Sequence, residues 1–189
     1  MVTHFLRFSA PDAQNLLLDI ERVRAQLRLA EGEGDPQRTL EHAACLTGML
    51  TTNRQEQEAY QTGARNLLLA RSHAQMEESA WLLHALATAA QYLNRRQEAN
   101  AIFTEALDAA RRNGWKNLEH FVLHHWGRSR AEEGLFEQAE QCFLQALAIR
   151  VELNLPRQES TRKALAHLVE LRSEQAGPLN CAASGGYTL

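Results

Sequence analysis

Proline is scarce in this chain, four in 189 residues, and β-branched residues are thin. Ala, Leu, Gln, Glu and Arg dominate instead, a composition that favours helix nearly throughout. A basic excess is missing too. The formal charge of −3 argues against a nucleic-acid-binding surface. No apolar run approaches the roughly 20 residues needed to span a bilayer, and Phe5, Leu6, Arg7 and Phe8 are too short and too charged for a secretory signal. No membrane partner is expected. Cysteine is sparse and odd in number: Cys45, Cys142 and Cys181, with no C-x-x-C spacing. Cys45 and Cys142 fall inside apolar helical patterns, where a thiol acts as a small hydrophobe, so reduced core thiols in a cytoplasmic protein are expected. There is no Gly-rich phosphate loop and no nucleophile elbow, and the acidic residues are spread along helix faces. Neither catalysis nor a cofactor is expected. The acidic turn Glu31–Asp35 reads as a solvated connection, since a Ca²⁺ loop needs more alternating oxygen ligands.

What the chain does contain is a pattern stated twice, 40 residues apart and without gaps. Trp81, Leu83, His84, Leu86 and Ala87 are answered by Phe121, Leu123, His124, Trp126 and Gly127. Ala99, Phe103, Ala106 and Leu107 are answered by Ala139, Phe143, Ala146 and Leu147. Self-similarity at this period is the mark of a stacked array of helical hairpins. A weaker copy precedes them, with Ala59 and Leu67 in register but Gly63 where Phe103 and Phe143 stand. At 189 residues, 44% hydrophobic and 23% charged, the chain suits one soluble domain.

The punctuation gives the boundaries. Residues 1–11 form an N-terminal arm, and Ser9, Pro11 and Asp12 read as a helix start. Leu16, Ile20, Val23 and Leu27 make an apolar stripe over 12–31, ended by Gly32 and Gly34. Asp35 and Pro36 supply a cap and a first-turn proline for the next helix. Repeats are expected over about 36–74, 75–114 and 115–154, with half-repeats at 12–34 and 157–173. The second helix of the first repeat should run over about 55–72. From 174 to 189 no periodic apolar face is visible, and that tail is expected to be disordered. The last helix places Lys163, Ala166 and Glu170 where internal repeats carry a face packed within the hairpin, while Leu165, Leu168 and Val169 could cover the preceding helix. It should be a cap with a polar outer face.

The two strong copies resemble tetratricopeptide repeats (TPRs): a large residue, a Leu-Ala or Trp-Gly step, then small, aromatic and small residues in the second helix. The 40-residue spacing is longer than the common 34-residue form, and Arg111 and Val151 stand where a closing proline is usual. This longer form is similar to repeats of kinesin light chains and bacterial peptide sensors. An armadillo-like array fits the two-helix punctuation less well. The resemblance implies an all-α, right-handed α-solenoid of antiparallel hairpins, about seven helices in all.

It also implies a non-enzymatic interaction module, whose first helices line a concave groove for a peptide segment of a partner. Carried over by register, the groove would hold Trp81, His84, Thr88 and Gln91 from one repeat and Phe121, His124, Arg128 and Ala131 from the next. Glu41, Ala44 and Gly48 come from the earlier one. Trp81 should sit beside Phe121 and His84 beside His124, although both aromatics could instead be core between hairpins. The family's Lys-and-Asn clamp for a terminal carboxylate is replaced by His84 and Thr88, or His124 and Arg128, which argues against that mode. His120 and His124 lie one turn apart near His84, but without further ligand residues no metal is expected. Groove histidines titrating near pH 6.5 would favour an acidic ligand as pH falls. A sensor of a small peptide and a structural homo-oligomer are the alternatives. Phe5, Leu6, Phe8, Leu17 and Leu18 exceed what one helix side needs to bury, so a homodimer through the N-terminal edge is expected if the arm does not fold back.

Overall fold

The computed structural model describes residues 5–176. Among them are nine helices: α1 Ala13–Glu33, α2 Pro36–Thr52, α3 Glu56–Arg65, α4 Leu67–Ser72, α5 Glu77–Tyr92, α6 Arg96–Asn113, α7 Lys116–Glu132, α8 Phe136–Glu152 and α9 Gln158–Ala176. They form an α-solenoid of antiparallel hairpins. The count exceeds the expected seven, in part because the helix foreseen over 55–72 is two. At Asn66 the side-chain Nδ2 donates to the Thr62 carbonyl at 3.0 Å, a local bond that competes with the helical ladder.

The repeat is written in the backbone as well as the sequence. Within hairpins, Arg54, Asn94 and Gly134 are left-handed at φ 65°, 60° and 74°. The next residue in each case closes the same six-residue loop: Gln55, Arg95 and Leu135 donate to the carbonyls of Leu50, Ala90 and Arg130, all at 2.9 Å. Between hairpins, Gly34, Gly114 and Asn154 are left-handed in the same way. This is the standard way to satisfy orphan carbonyls at a helix end. Ala74, in register with that second set, has no positive φ, and residues 73–76 connect α4 to α5 without that left-handed exit.

Helix starts follow local chemistry. Asp35 accepts from the Arg38 amide at 3.1 Å with Pro36 at the first position, as the sequence implies. At α1 the cap is Asp12, which accepts from the Asn15 amide at 2.9 Å, rather than Ser9. A carboxylate directly before the first turn reaches an orphan N–H that the earlier serine cannot.

Packing follows the small-and-aromatic code. Phe103 and Phe143 are fully buried. A Cβ at Gly127 would lie 2.8 Å from Phe143 Cε1, so α7 and α8 approach only because that residue is glycine. Gly63 is not a gap: a Cβ there would meet Leu86 at 3.0–3.1 Å, so α3 takes its packing volume from α5 of the next hairpin. Trp126 likewise reaches back to the preceding hairpin, stacking on Phe103 at 6.2 Å and donating its Nε1 to Asn100 at 2.9 Å. This position therefore joins successive hairpins rather than packing within one.

α9 is turned relative to the expected register. It buries Thr161, Ala164 and Leu168 against α7 and α8, whereas Leu165 is only half-buried and Val169 is 61% exposed. Those buried residues lie 40 positions after Phe121, His124 and Arg128, the set that the sequence register assigns to the groove. α9 thus rolls its groove face inward and closes the array, with Lys163, Ala166 and Glu170 exposed. It continues to Ala176, past the expected end at 173, and the rest of the tail expected to be disordered, including Cys181, lies outside the described residues.

The arm does fold back. Phe5 is buried against α8 and α9, its ring 5.8 Å from Phe143 and 5.2 Å from His167. It is therefore unavailable to an N-terminal dimer edge. No helix among the described residues is long and apolar enough to cross a membrane.

Candidate groove on the concave face

The first helices of successive hairpins, α2, α5 and α7, run parallel and line one face. Between them opens a pocket of about 670 Å³. Trp81 and Phe121, both half-buried, meet edge to face at 5.4 Å and form its aromatic wall. Trp81 is steadied by its Nε1 donating to Glu77 at 3.1 Å. Of the seven sequence-predicted residues, Trp81, His84, Thr88, Phe121 and Arg128 line the pocket, as do Glu41, Ala44 and Gly48.

Gln91 and His124 do not. Gln91 is buried, and His124 turns toward α9, with Nδ1 3.2 Å from Thr161 Oγ1. Ala131 is also buried, in the cluster around Phe5 and Phe143. The neighbour of His84 is His125, at 4.8 Å between ring centres, rather than His124. One helical residue is about 100° of rotation, so a small roll of α7 exchanges adjacent side chains on the groove face. His125 Nδ1 in turn lies 3.4 Å from Thr88 Oγ1.

These histidines are not switches at neutral pH. Burial holds His84 at about 4, with the charge of His120 adding to the effect. His120 is also at about 4, from burial and then the Arg150 guanidinium, while burial pushes His124 and His125 well below 6.5. Titration near 6.5 is therefore not expected: burial disfavours the charged rings, and arginines near His120, His124 and His125 add to the effect. Among the described residues no three His, Cys, Asp or Glu side chains converge as metal ligands.

The arm occupies the other end of the groove. Arg7 donates to the Thr51 carbonyl at 2.7 Å, pairs with Glu56 and lies over the Tyr92 ring at 3.9 Å. Phe5 donates its N–H to Glu132 Oε1 at 3.0 Å, and Arg54 donates to Ser9 Oγ at 2.9 Å. Arg7, Phe8 and Ala10 thereby become a wall of the open pocket. Cys45, expected in the core, is exposed at this pocket, and Cys142 is half-buried.

A further element escaped the sequence reading. Arg150 of α8 is fully buried and donates to His120 Nδ1 at 3.2 Å, to the Arg157 carbonyl at 2.9 Å, to Ser160 Oγ at 3.2 Å and to Thr161 Oγ1. It fastens α7 and α9 to α8 through neutral acceptors. An arginine in the last turn of a helix reads in sequence as a surface residue, so nothing local announces this role.

The fold defines the class: a TPR-like helical-repeat solenoid with a concave face partly filled by its own N-terminal arm. No family model matches the chain, and no curated protein does. Among solved structures it is similar to BtubC (BKLC) from P. vanneervenii, also a TPR-like helical-repeat protein, with a TM-score of 0.62 at 15% identity over 90% of this chain and 80% of that one.

Proposed function

We propose that this chain is a non-enzymatic protein-interaction module that receives a segment of a partner in the groove space left open by its arm. The observation that carries this reading is the aromatic pair Trp81 and Phe121, half-buried on the wall of an open apolar pocket. Large aromatics that remain accessible are the side chains that dominate binding energy at interfaces. A protein carrying Trp81→Ala and Phe121→Ala, shown to be folded by circular dichroism, should lose the partner recovered by the parent chain from native lysate. Undiminished recovery would place the binding surface elsewhere.

The sensor reading is favoured by a different observation. The arm closes one end of the groove, so the pocket also suits a short ligand whose binding would be felt by the arm through Phe8. Self-association through α1 rests on Leu17 and Leu18, 50% and 65% exposed, without Phe5. Sedimentation equilibrium of the parent and of Leu18→Glu tests it, a monomer in both excluding the dimer.

A further inference from the structure

The open pocket is chemically lopsided. Its apolar lining includes Trp81 and Phe121 and, from the arm, Phe8, which is 59% exposed. Its acids, Glu41 and Glu78, stand on α2 and at the start of α5, and Glu78 accepts from Gln37 Nε2 at 2.9 Å. Its cations are Arg7, Arg128 and Arg157. Arg7 is matched by Glu56, and Arg128, 5% exposed, donates its Nε to the Phe5 carbonyl and leaves its buried Nη2 without a partner. Arg157 differs. It projects from the connection between α8 and α9, lies 5.2 Å over the Phe121 ring, and has no carboxylate partner among the described residues. Behind it the buried Arg150 guanidinium is met by neutral groups alone, one of them the Arg157 carbonyl. The α7 side of the pocket is therefore a positive rim on an aromatic wall. A second mark of an unfilled site is His84, 8% exposed, whose Nε2 has no hydrogen-bond partner. A buried polar atom left without a partner costs free energy until a bound group meets it.

We propose that this pocket binds a compact apolar carboxylate, its apolar body on Trp81, Phe121 and Phe8 and its carboxylate on the Arg157 guanidinium. The inference rests on the reading of the groove as a binding surface and names the ligand class for it. An exposed guanidinium with free N–H groups recognises a carboxylate in a bidentate fork. The Phe121 ring, 5.2 Å from the guanidinium carbon, favours that position at the rim through a cation–π contact. A pocket of about 670 Å³ is within the range that accepts small organic ligands. Because Phe5 and Arg7 fill the groove between Thr51 and Glu132, a chain running its full length is blocked. The carboxylate belongs to a free small acid or to the carboxyl end of a partner chain.

Calorimetric titration of the full chain at pH 7 with 4-phenylbutyrate and with its neutral amide tests this. The acid should bind saturably and at least tenfold more tightly than the amide. Arg157→Gln should bring the two within twofold, and Phe121→Ala should weaken both, each with an unchanged circular dichroism spectrum. A pentapeptide ending in phenylalanine, with free or amidated carboxyl end, separates the sources. Peptide acid that binds more tightly than 4-phenylbutyrate assigns the site to a chain end; weaker binding assigns it to a free acid. Equal affinity for acid and amide, a discrimination untouched by Arg157→Gln, or no saturable binding of any probe overturns the proposal. If that happens while Trp81→Ala with Phe121→Ala still abolishes partner recovery, the interaction module stands and only its ligand class falls.

Discussion

Arg128 Nε donates at 2.9 Å to the carbonyl of Phe5, 123 positions earlier in the chain. Arg128 is only 5% exposed, and its Nη2 has no hydrogen-bond partner. A groove residue that register places on the binding face is thus already engaged, by the chain's own backbone. The arm is an internal occupant, and the pocket beside it is what remains for others.

The arm should be separable from the solenoid. Phe5→Ala is expected to cost about 1.5–3 kcal/mol, the value of burying one large apolar side chain. It should also raise amide hydrogen exchange at Phe5, whose N–H is held by Glu132. A variant with parental stability and exchange would show that the arm's docking contributes nothing.

Between hairpins the aromatic residues should dominate stability. Phe103→Ala and Phe143→Ala are each expected to cost about 3–5 kcal/mol in urea denaturation, because both are fully buried. Gly127→Ala should cost about 1–3 kcal/mol by overpacking, since its new Cβ would press on Phe143. A harmless Gly127→Ala would contradict the close approach of α7 and α8.

Acid should destabilise the fold over a defined window. His84 and His120 have folded values of about 4 against 6.5 for the free side chain, so between those limits the unfolded chain binds more protons. Their contribution is present above 6.5 and is lost as pH falls toward 4. Melting temperature is therefore expected to drop from pH 7 to pH 4.5, and His84→Phe should flatten that slope. An unchanged slope in His84→Phe would mean that His84 is not held neutral in the fold.

The last helix should be required for solubility. A chain ending at Pro156 removes Ala164 and Leu168 from the cluster that holds Phe136 and Phe143, and strips Arg150 of Ser160 and Thr161. It should aggregate in light-scattering measurements, whereas a chain ending at Ala176 should keep its helicity and remain soluble. If both stay monomeric, α9 is not a cap.

The amino-acid sequence by itself determined the period, the hairpins and part of the wall of the pocket. A 40-residue repeat of small and aromatic residues has one way to bury itself, and Gly34, Asp35, Pro36 and Gly114 mark helix ends by local chemistry. Trp81, His84, Thr88, Phe121 and Arg128 were legible because the resemblance to tetratricopeptide repeats assigns the first helices to the groove and helical spacing puts these residues on one face. Tertiary structure alone decided the rest. The roll of α7 exchanged His124 for His125 beside His84, a change of one residue that periodicity cannot resolve. The turn of α9 buried Ala164 and exposed Val169, because periodicity alone does not say which face of a helix covers α8. The descent of the arm onto Phe143 joined residues more than a hundred positions apart, through an aromatic stack and two backbone bonds. Such contacts leave no periodic trace, since a single unrepeated segment carries no register with the helices it meets.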